Sequence, residues 1–283
     1  MSLSSTKIGI IELVICALIW GSLGVIVRSL PYSSFQLVEF RVLIALPIML
    51  VFWYSKSGLE DIKKKENRKS LILLGVAITI AWSSHFTAFQ LTTIANTVIL
   101  LYTGPIFLAI FAPYYIKERK DPKVNIALVI AVIGMIFLFA NQGLGDRLNT
   151  IGIGLGLLSG MLLAFVIMTI RKISTSYSSW TLAITPIIIT SIILLPTLFT
   201  NIPTPTNTHL ILIFTLGIVH TAFAYYLYVD GIARITAQRA SIVTYTEPAS
   251  AIIFAAVLIN EIPDLFGIIG ITLIIVANLV VNR

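Results

Sequence analysis

The chain has 283 residues, of which 58% are hydrophobic and only 11% charged. That charged fraction is less than half of what soluble domains carry, which excludes a water-facing globule. The net charge of +7 does not point to nucleic acid either, because the basic residues are distributed by loop and not along one amphipathic face.

Ten apolar blocks are long enough to cross a hydrocarbon core of about 30 Å as helices. They are predicted at residues 8–30, 35–54, 71–91, 95–116, 124–140, 151–170, 180–199, 210–231, 238–259 and 264–282. The first is too long for a removed signal peptide, lacks a small-residue cleavage site and contains Glu12 and Trp20, so it is expected to stay as a span. The longest connection, 55–70, is dense in charge and reads as a solvated linker. Of the nineteen Lys and Arg residues, sixteen fall at the N-terminus, on alternate loops or at Arg283. Arg28 and Arg147 fall on the opposite side, and Arg41 lies within a span. The positive-inside rule therefore predicts a multi-pass protein with both termini in the cytoplasm. Cys16 is the single cysteine, so no intramolecular disulfide can form.

A repeat runs through these spans. Tyr-Thr-x-Pro followed by twelve residues and then Glu occurs at Tyr102–Glu118 and again at Tyr245–Glu261, a shift of 143 positions that also carries Arg28 onto Arg171. Each copy holds five spans, an odd number, so the second enters the membrane from the opposite side. The expectation is an all-α integral membrane protein, with ten transmembrane helices arranged as two inverted five-helix repeats, residues 1–146 and 147–283, around a central cavity. Charge agrees, since Glu118 lies in a lysine-rich loop and Glu261 in a loop without Lys or Arg. Inverted repeats meeting near the midplane are a common architecture of secondary transporters; the alternative is a duplication retained for stability alone.

Ten spans in two five-span copies, the Trp20–Gly21 pair in span 1, and a proline-bearing span followed by Glu in each half resemble the EamA-type members of the drug/metabolite transporter superfamily. The resemblance covers essentially the whole chain. It implies a permease of the inner or plasma membrane that moves small metabolites, often as an exporter of amino acids or related compounds. It also implies a cavity lined mainly by spans 1, 3, 4, 6, 8 and 9. Where a second Trp-Gly pair would stand in span 6, this chain has Leu163 and Ala164.

Polar groups in hydrocarbon are costly when unsatisfied, so those deep in the spans are the candidates for substrate binding. Trp82 and His85 share one face of span 3, and the repeat maps them onto Tyr225 and Tyr228 of span 8. Such rings suit stacking on a planar solute or cation–π contact with an ammonium group, or else interhelical packing. His85 is also a candidate proton carrier. His220, whose repeat mate is Ala77, is closer to a structural role. No metal-ligand spacing accompanies either histidine, so no metal or other cofactor is expected. Glu247 lies deep in span 9, where a carboxylate needs a partner or a proton. It is the candidate for a coupling proton or a substrate amine, with capping by Thr244, Ser250 or backbone as the alternative.

Pro105 and Pro248 each remove a helical hydrogen bond and free a carbonyl one turn back, near Leu101 and Thr244, making both candidate hinges. Tyr102 and Tyr245 are expected beside those carbonyls. Pro47 and Pro186 show that a mid-span proline alone is not specific. Trp20 is either cavity wall or packing. Glu39 and Arg41 enter span 2 from the outside and point to different faces. Arg41 pairs with a carboxylate elsewhere, attracts a carboxylate solute at the outer mouth, or snorkels to the interface. Glu12 and Asp230 read as interfacial, and the Gly152, Gly156, Gly160, Ala164 stripe as close helix packing.

The leading reading is a secondary transporter of small metabolites working by alternating access in the lipid bilayer, an exporter of amino acids or related amphipathic compounds with a possible coupling proton and no nucleic acid partner. No Walker motif is present, so ATP does not drive it directly. The second reading is an intramembrane enzyme on a lipid-linked substrate, against which stands the absence of any catalytic motif. A channel is the third.

Overall fold

The computed structural model describes residues 4–56, 58–118, 121–139, 149–259 and 264–282. Arg147, Glu261 and Arg283 of the charge and repeat arguments lie outside the described residues.

Ten spans are present among the described residues. Span 1 is Ser5–Trp20 continued by Leu23–Arg28, span 2 is Ser34–Lys56, span 3 is Arg68–Leu91, span 4 is Ile94–Leu101 continued by Gly104–Tyr115, and span 5 is Pro122–Phe139. Span 6 is Thr150–Ile173, and span 7 is Ser179–Leu194 with a 3-10 turn at Leu195–Phe199. Span 8 joins Asn207–Thr215, a π-helical segment Leu216–Phe223, and Ala224–Arg234. Span 9 is Ala237–Val243 continued by Thr246–Ile259, and span 10 is Leu265–Asn282. Seven of these are long and apolar enough to cross a membrane on composition alone, and spans 5 and 10 are shorter apolar helices.

Hydroxyl and amide side chains start the helices by accepting from otherwise unpaired first-turn amides. Thr93 caps span 4 through the Asn96 amide, and Thr236, 143 residues on, caps span 9 through the Arg239 amide. The same symmetry governs packing. Span 2 pairs with its own counterpart 7, and 5 with its counterpart 10. Span 3 against span 6 is matched by 8 against 1, and 4 against 6 by 9 against 1. Arg28 donates to the Phe89 and Thr92 carbonyls at the end of span 3, and Arg171 donates to the Ala233 carbonyl at the end of span 8.

Three of the predicted continuous helices are interrupted. Span 1 breaks at Gly21–Ser22, span 4 at Tyr102–Thr103 and span 9 at Thr244–Tyr245. Pro105 therefore sits in the first turn of a new helix, where its missing N–H has no helical partner to lose, and does not kink a continuous one. Pro47 and Pro186 stay inside unbroken helices. Between apolar helices in lipid, close approach takes the place of hydrophobic drive. Gly160 brings span 6 against span 4, where a Cβ would stand 2.5 Å from the Leu100 carbonyl oxygen. Gly21 likewise admits Ser250 of span 9, which accounts for the glycine of the Trp20–Gly21 pair.

The 55–70 connection is not simply a solvated linker. It contains a helical turn, Gly58–Lys63, and buries Asp61 against the start of span 7. The Asp61 carboxylate accepts from the Ser178 amide, the Ser178 hydroxyl and the Thr181 hydroxyl, and pairs with Lys64. Burial by itself would raise the Asp61 carboxyl, but the hydrogen bonds from Lys64, Ser178 and Thr181 outweigh it and hold the group at about 2, below its ordinary 3.8.

Other polar contacts on this face also join the halves. Glu118 accepts from the Ala237 and Gln238 amides at the start of span 9 and lies 3.8 Å from Arg171. Arg234 bridges Glu12 at 3.3 Å and Asp230 at 2.6 Å. Glu12 and Asp230, read from sequence as interfacial, are thus partners of one arginine.

Candidate functional site

The breaks in spans 4 and 9 meet at the centre of the molecule. Tyr102 and Tyr245 face each other with ring centroids 5.0 Å apart. The Tyr102 hydroxyl lies 2.8 Å from both the Thr244 carbonyl and Glu247 Oε2, so its one proton is shared between them. Tyr245 donates to the Tyr102 carbonyl at 2.9 Å. Pro248, like Pro105, sits in the first turn of a new helix and does not kink a continuous one, and the Thr244 carbonyl four residues before it accepts from the Glu247 amide at 3.0 Å. Each tyrosine serves the backbone of the opposite half and not its own, contrary to the sequence expectation. The partner of Glu247 is accordingly Tyr102. Neither Thr244 nor Ser250 caps its carboxylate: their hydroxyls go to the Ser241 carbonyl and to the Ala17 and Glu247 carbonyls.

Above this junction lies a cavity of about 70 Å³, room for a few waters. Its wall includes eight of the nine residues singled out from sequence: Trp20, Arg41, Trp82, His85, Tyr102, Tyr225, Tyr228 and Glu247. The ninth, Tyr245, is fully buried behind Tyr102 and does not reach the cavity. The wall draws on spans 1, 3, 4, 6, 8 and 9, as the resemblance implied, with Arg41 of span 2 added.

The aromatic residues form a continuous lining because the repeat places rings at equivalent heights on spans 3 and 8. Trp82 meets Tyr225 edge-on at 5.0 Å, Tyr225 stacks on Tyr228 at 6.4 Å, and Tyr228 meets Trp20 at 5.0 Å. Trp20 is fixed by its indole N–H, which donates to the His220 carbonyl at 2.9 Å. His220 in turn lies 3.0 Å from the Ser22 hydroxyl and 3.2 Å from the Thr215 carbonyl, tying the break in span 1 to the π-helical segment of span 8. That is the structural role anticipated for it.

Arg41 departs most from the sequence expectation. It neither snorkels nor stands at an outer mouth; it is 1% exposed inside the protein. Its guanidinium lies 4.5 Å from the centre of the Trp82 ring and 5.3 Å from that of Phe86. Its Nε donates to Thr221 Oγ1 at 2.7 Å, and that hydroxyl donates to the Leu216 carbonyl five residues back. The π-helical register of span 8 is what presents Thr221 to Arg41, and such segments recur at functional sites. No carboxylate lies within 4 Å of Arg41 among the described residues. Glu39 turns away from it, fully buried, and accepts from Ser191 at 3.1 Å.

Sequence reasoning passed over Thr221 and Ser159. Thr221 reads as one more small polar residue until its place in the π-helical segment is known. Ser159 of span 6, which lines the cavity, lies one residue before the glycine stripe's Gly160. The stripe itself packs within the chain, against the end of span 3 and against span 4.

Two matches to the EamA-like transporter family cover residues 7–140 and 150–283. The chain belongs to that family and is a multi-pass membrane protein. Among its relatives, the uncharacterized transporter YxxF of Bacillus subtilis (strain 168) is 24% identical over 94% of this chain and 86% of its own. The uncharacterized transporter YwfM of the same organism is 27% identical over 95% of this chain and 91% of its own. A solved crystal structure superposes with a TM-score of 0.82 at 16% identity, covering 98% of this chain and 95% of the other, which establishes the shared fold. The family and these relatives define a membrane transporter of small molecules.

Proposed function

We propose that this protein is a secondary transporter that exports amino acids or related amphipathic metabolites by alternating access. It works in the plasma membrane with both termini in the cytoplasm, and it is a carrier and not an enzyme on a lipid-linked substrate. The observation that carries this reading is the meeting of two repeat-related helix breaks, at Tyr102 and Tyr245, beside Glu247 at the wall of the central cavity. Discontinuous helices at a repeat interface are how such carriers present polar groups at the midplane. In this reading the halves 1–146 and 147–283 rock against each other, and Pro105 and Pro248, in the first turn after each break, act as hinges.

Trp20, Trp82, Tyr225 and Tyr228 take the apolar part of the solute. Glu247 takes a coupling proton or a solute amine. Tyr102, of the first half, couples that state to the break in the second, because its one hydroxyl is shared between the carboxylate and the Thr244 carbonyl. His85 is a secondary candidate on the proton path. Tyr245 contributes from behind, by holding Tyr102.

The test is reconstitution of the purified protein in liposomes, with counterflow of labelled amino acids under an imposed pH gradient. Saturable, trans-stimulated uptake is expected. Ohmic current without counterflow would make it a channel. Glu247→Gln is expected to abolish the pH-driven component, and pH-driven uptake unchanged in that variant would refute proton coupling through Glu247.

A further inference from the structure

The hydrogen-bonding groups of the cavity are unevenly satisfied. Its one carboxylate, Glu247, already accepts from Tyr102. The Tyr225 hydroxyl, the Tyr228 hydroxyl and His85 Nδ1 are buried and have no partner among the described residues. All three side chains are more than nine-tenths buried, and all line the cavity. Arg41 lines it too, and its only hydrogen bond among the described residues is the one from Nε to Thr221, in which neither terminal amino group of the guanidinium takes part. A guanidinium only donates, a phenol donates one proton, and a neutral imidazole donates from Nδ1 in one of its tautomers. The cavity therefore holds several unused donors and a full positive charge that has no carboxylate within 4 Å of it among the described residues.

A buried cation without a counter-charge is costly, and its planar fork matches a carboxylate in two parallel hydrogen bonds. Arg41 is also held ready for this: its guanidinium carbon lies over the Trp82 and Phe86 rings, its Nε is fixed by Thr221, and Trp82 meets Tyr225 edge-on. Neither Glu39 nor Arg41 is repeated in the second half, where Leu182 and Ile184 stand, so this subsite exists once per chain.

We infer that Arg41, with the hydroxyls of Tyr225 and Tyr228, forms a carboxylate subsite, and that an organic carboxylate is the required group of the transported solute while an amine is dispensable. The inference rests on reading the cavity as the solute site and narrows the class of solute. Apolar substituents of the carboxylate lie along the Trp20, Trp82 and Tyr228 rings, and an ammonium group, where present, faces Glu247.

The experiment uses the intact purified protein and three compounds on one skeleton: phenylalanine, 3-phenylpropanoate and phenethylamine, with the corresponding leucine-derived trio as a second set. Binding is read as the rise in thermal unfolding temperature with ligand concentration. Phenylalanine and 3-phenylpropanoate are expected to protect, and phenethylamine to bind at least about tenfold more weakly. Tyr225→Phe combined with Tyr228→Phe, a change that keeps both rings, is expected to weaken carboxylate binding about tenfold or more and to leave amine binding unchanged. Equal protection by the amine, failure of 3-phenylpropanoate where phenylalanine binds, or carboxylate binding unchanged in the double variant would each overturn the subsite. A protein that carries out counterflow but prefers no carboxylate keeps the carrier function and loses this subsite; one that exchanges no solute at all loses both.

Discussion

Tyr102 and Tyr245 occupy equivalent positions in the two repeats, pack as tilted rings with centroids 5.0 Å apart, and yet do different work. Tyr102 reaches across to the Thr244 carbonyl and Glu247, while Tyr245 reaches back only to the Tyr102 carbonyl. The difference follows from one position: the residue matching Glu247 in the first half is Gly104, which packs against the Gly160 backbone and has no side chain to offer.

Tyr102→Phe is therefore expected to destabilise the protein more than Tyr245→Phe. The first leaves a buried carboxylate oxygen without its donor, a loss of about 1–3 kcal/mol; the second removes one neutral hydrogen bond, worth about 1 kcal/mol. Thermal unfolding of the two variants in the same detergent checks the order. Equal midpoints would mean that Glu247 does not depend on Tyr102.

The glycine stripe of span 6 makes a graded prediction. A methyl group at Gly160 would meet the Leu100 backbone, which cannot give way, whereas one at Gly154 meets nothing within 4 Å. Gly160→Ala is expected to cost about 1–3 kcal/mol and Gly154→Ala nothing measurable. Thermal stability of the pair, measured side by side, reads the difference.

The latch at Asp61 predicts a pH dependence. Its folded value of about 2 lies below its ordinary 3.8, so its contribution is complete above about pH 4 and is lost as pH falls through 2. Hydrogen exchange of the segment around Ser178 and Thr181 is expected to stay slow down to about pH 4 and to accelerate below it. Asp61→Asn is expected to show the fast exchange at pH 7 already. Slow exchange in that variant at neutral pH would show that the carboxylate does not hold the loop.

The spans themselves were legible because length and apolar composition decide whether a helix can cross lipid, and the repeat because a constant shift of 143 carries chemistry with it. Cavity residues such as Trp82, Tyr225 and Glu247 were legible because a polar group deep in a span must face protein. Four features were not. A proline marks a lost hydrogen bond but does not say whether the helix bends there or, as near Tyr102, ends and begins again. Arg41 at its depth can snorkel or turn inward, and only the rotation of span 2 against spans 3 and 8 decides. The loop carrying Asp61 has the same composition whether it is solvated or docked. The π-helical segment around Thr221 is a matter of hydrogen-bond register, which no residue type announces.

The account's central claim is that one cavity opens in turn to the two faces of the membrane. Cys16 is the sole cysteine and is buried, so a Cys16→Ala chain carrying Ser159→Cys places a single thiol in the cavity wall. The decisive measurement is labelling of that thiol in oriented vesicles by a membrane-impermeant reagent, added to one face at a time with and without a transported solute. The account predicts access from one face at a time, with the favoured face shifting when solute is present on one side. Simultaneous access from both faces, or no access from either under any condition, would contradict it.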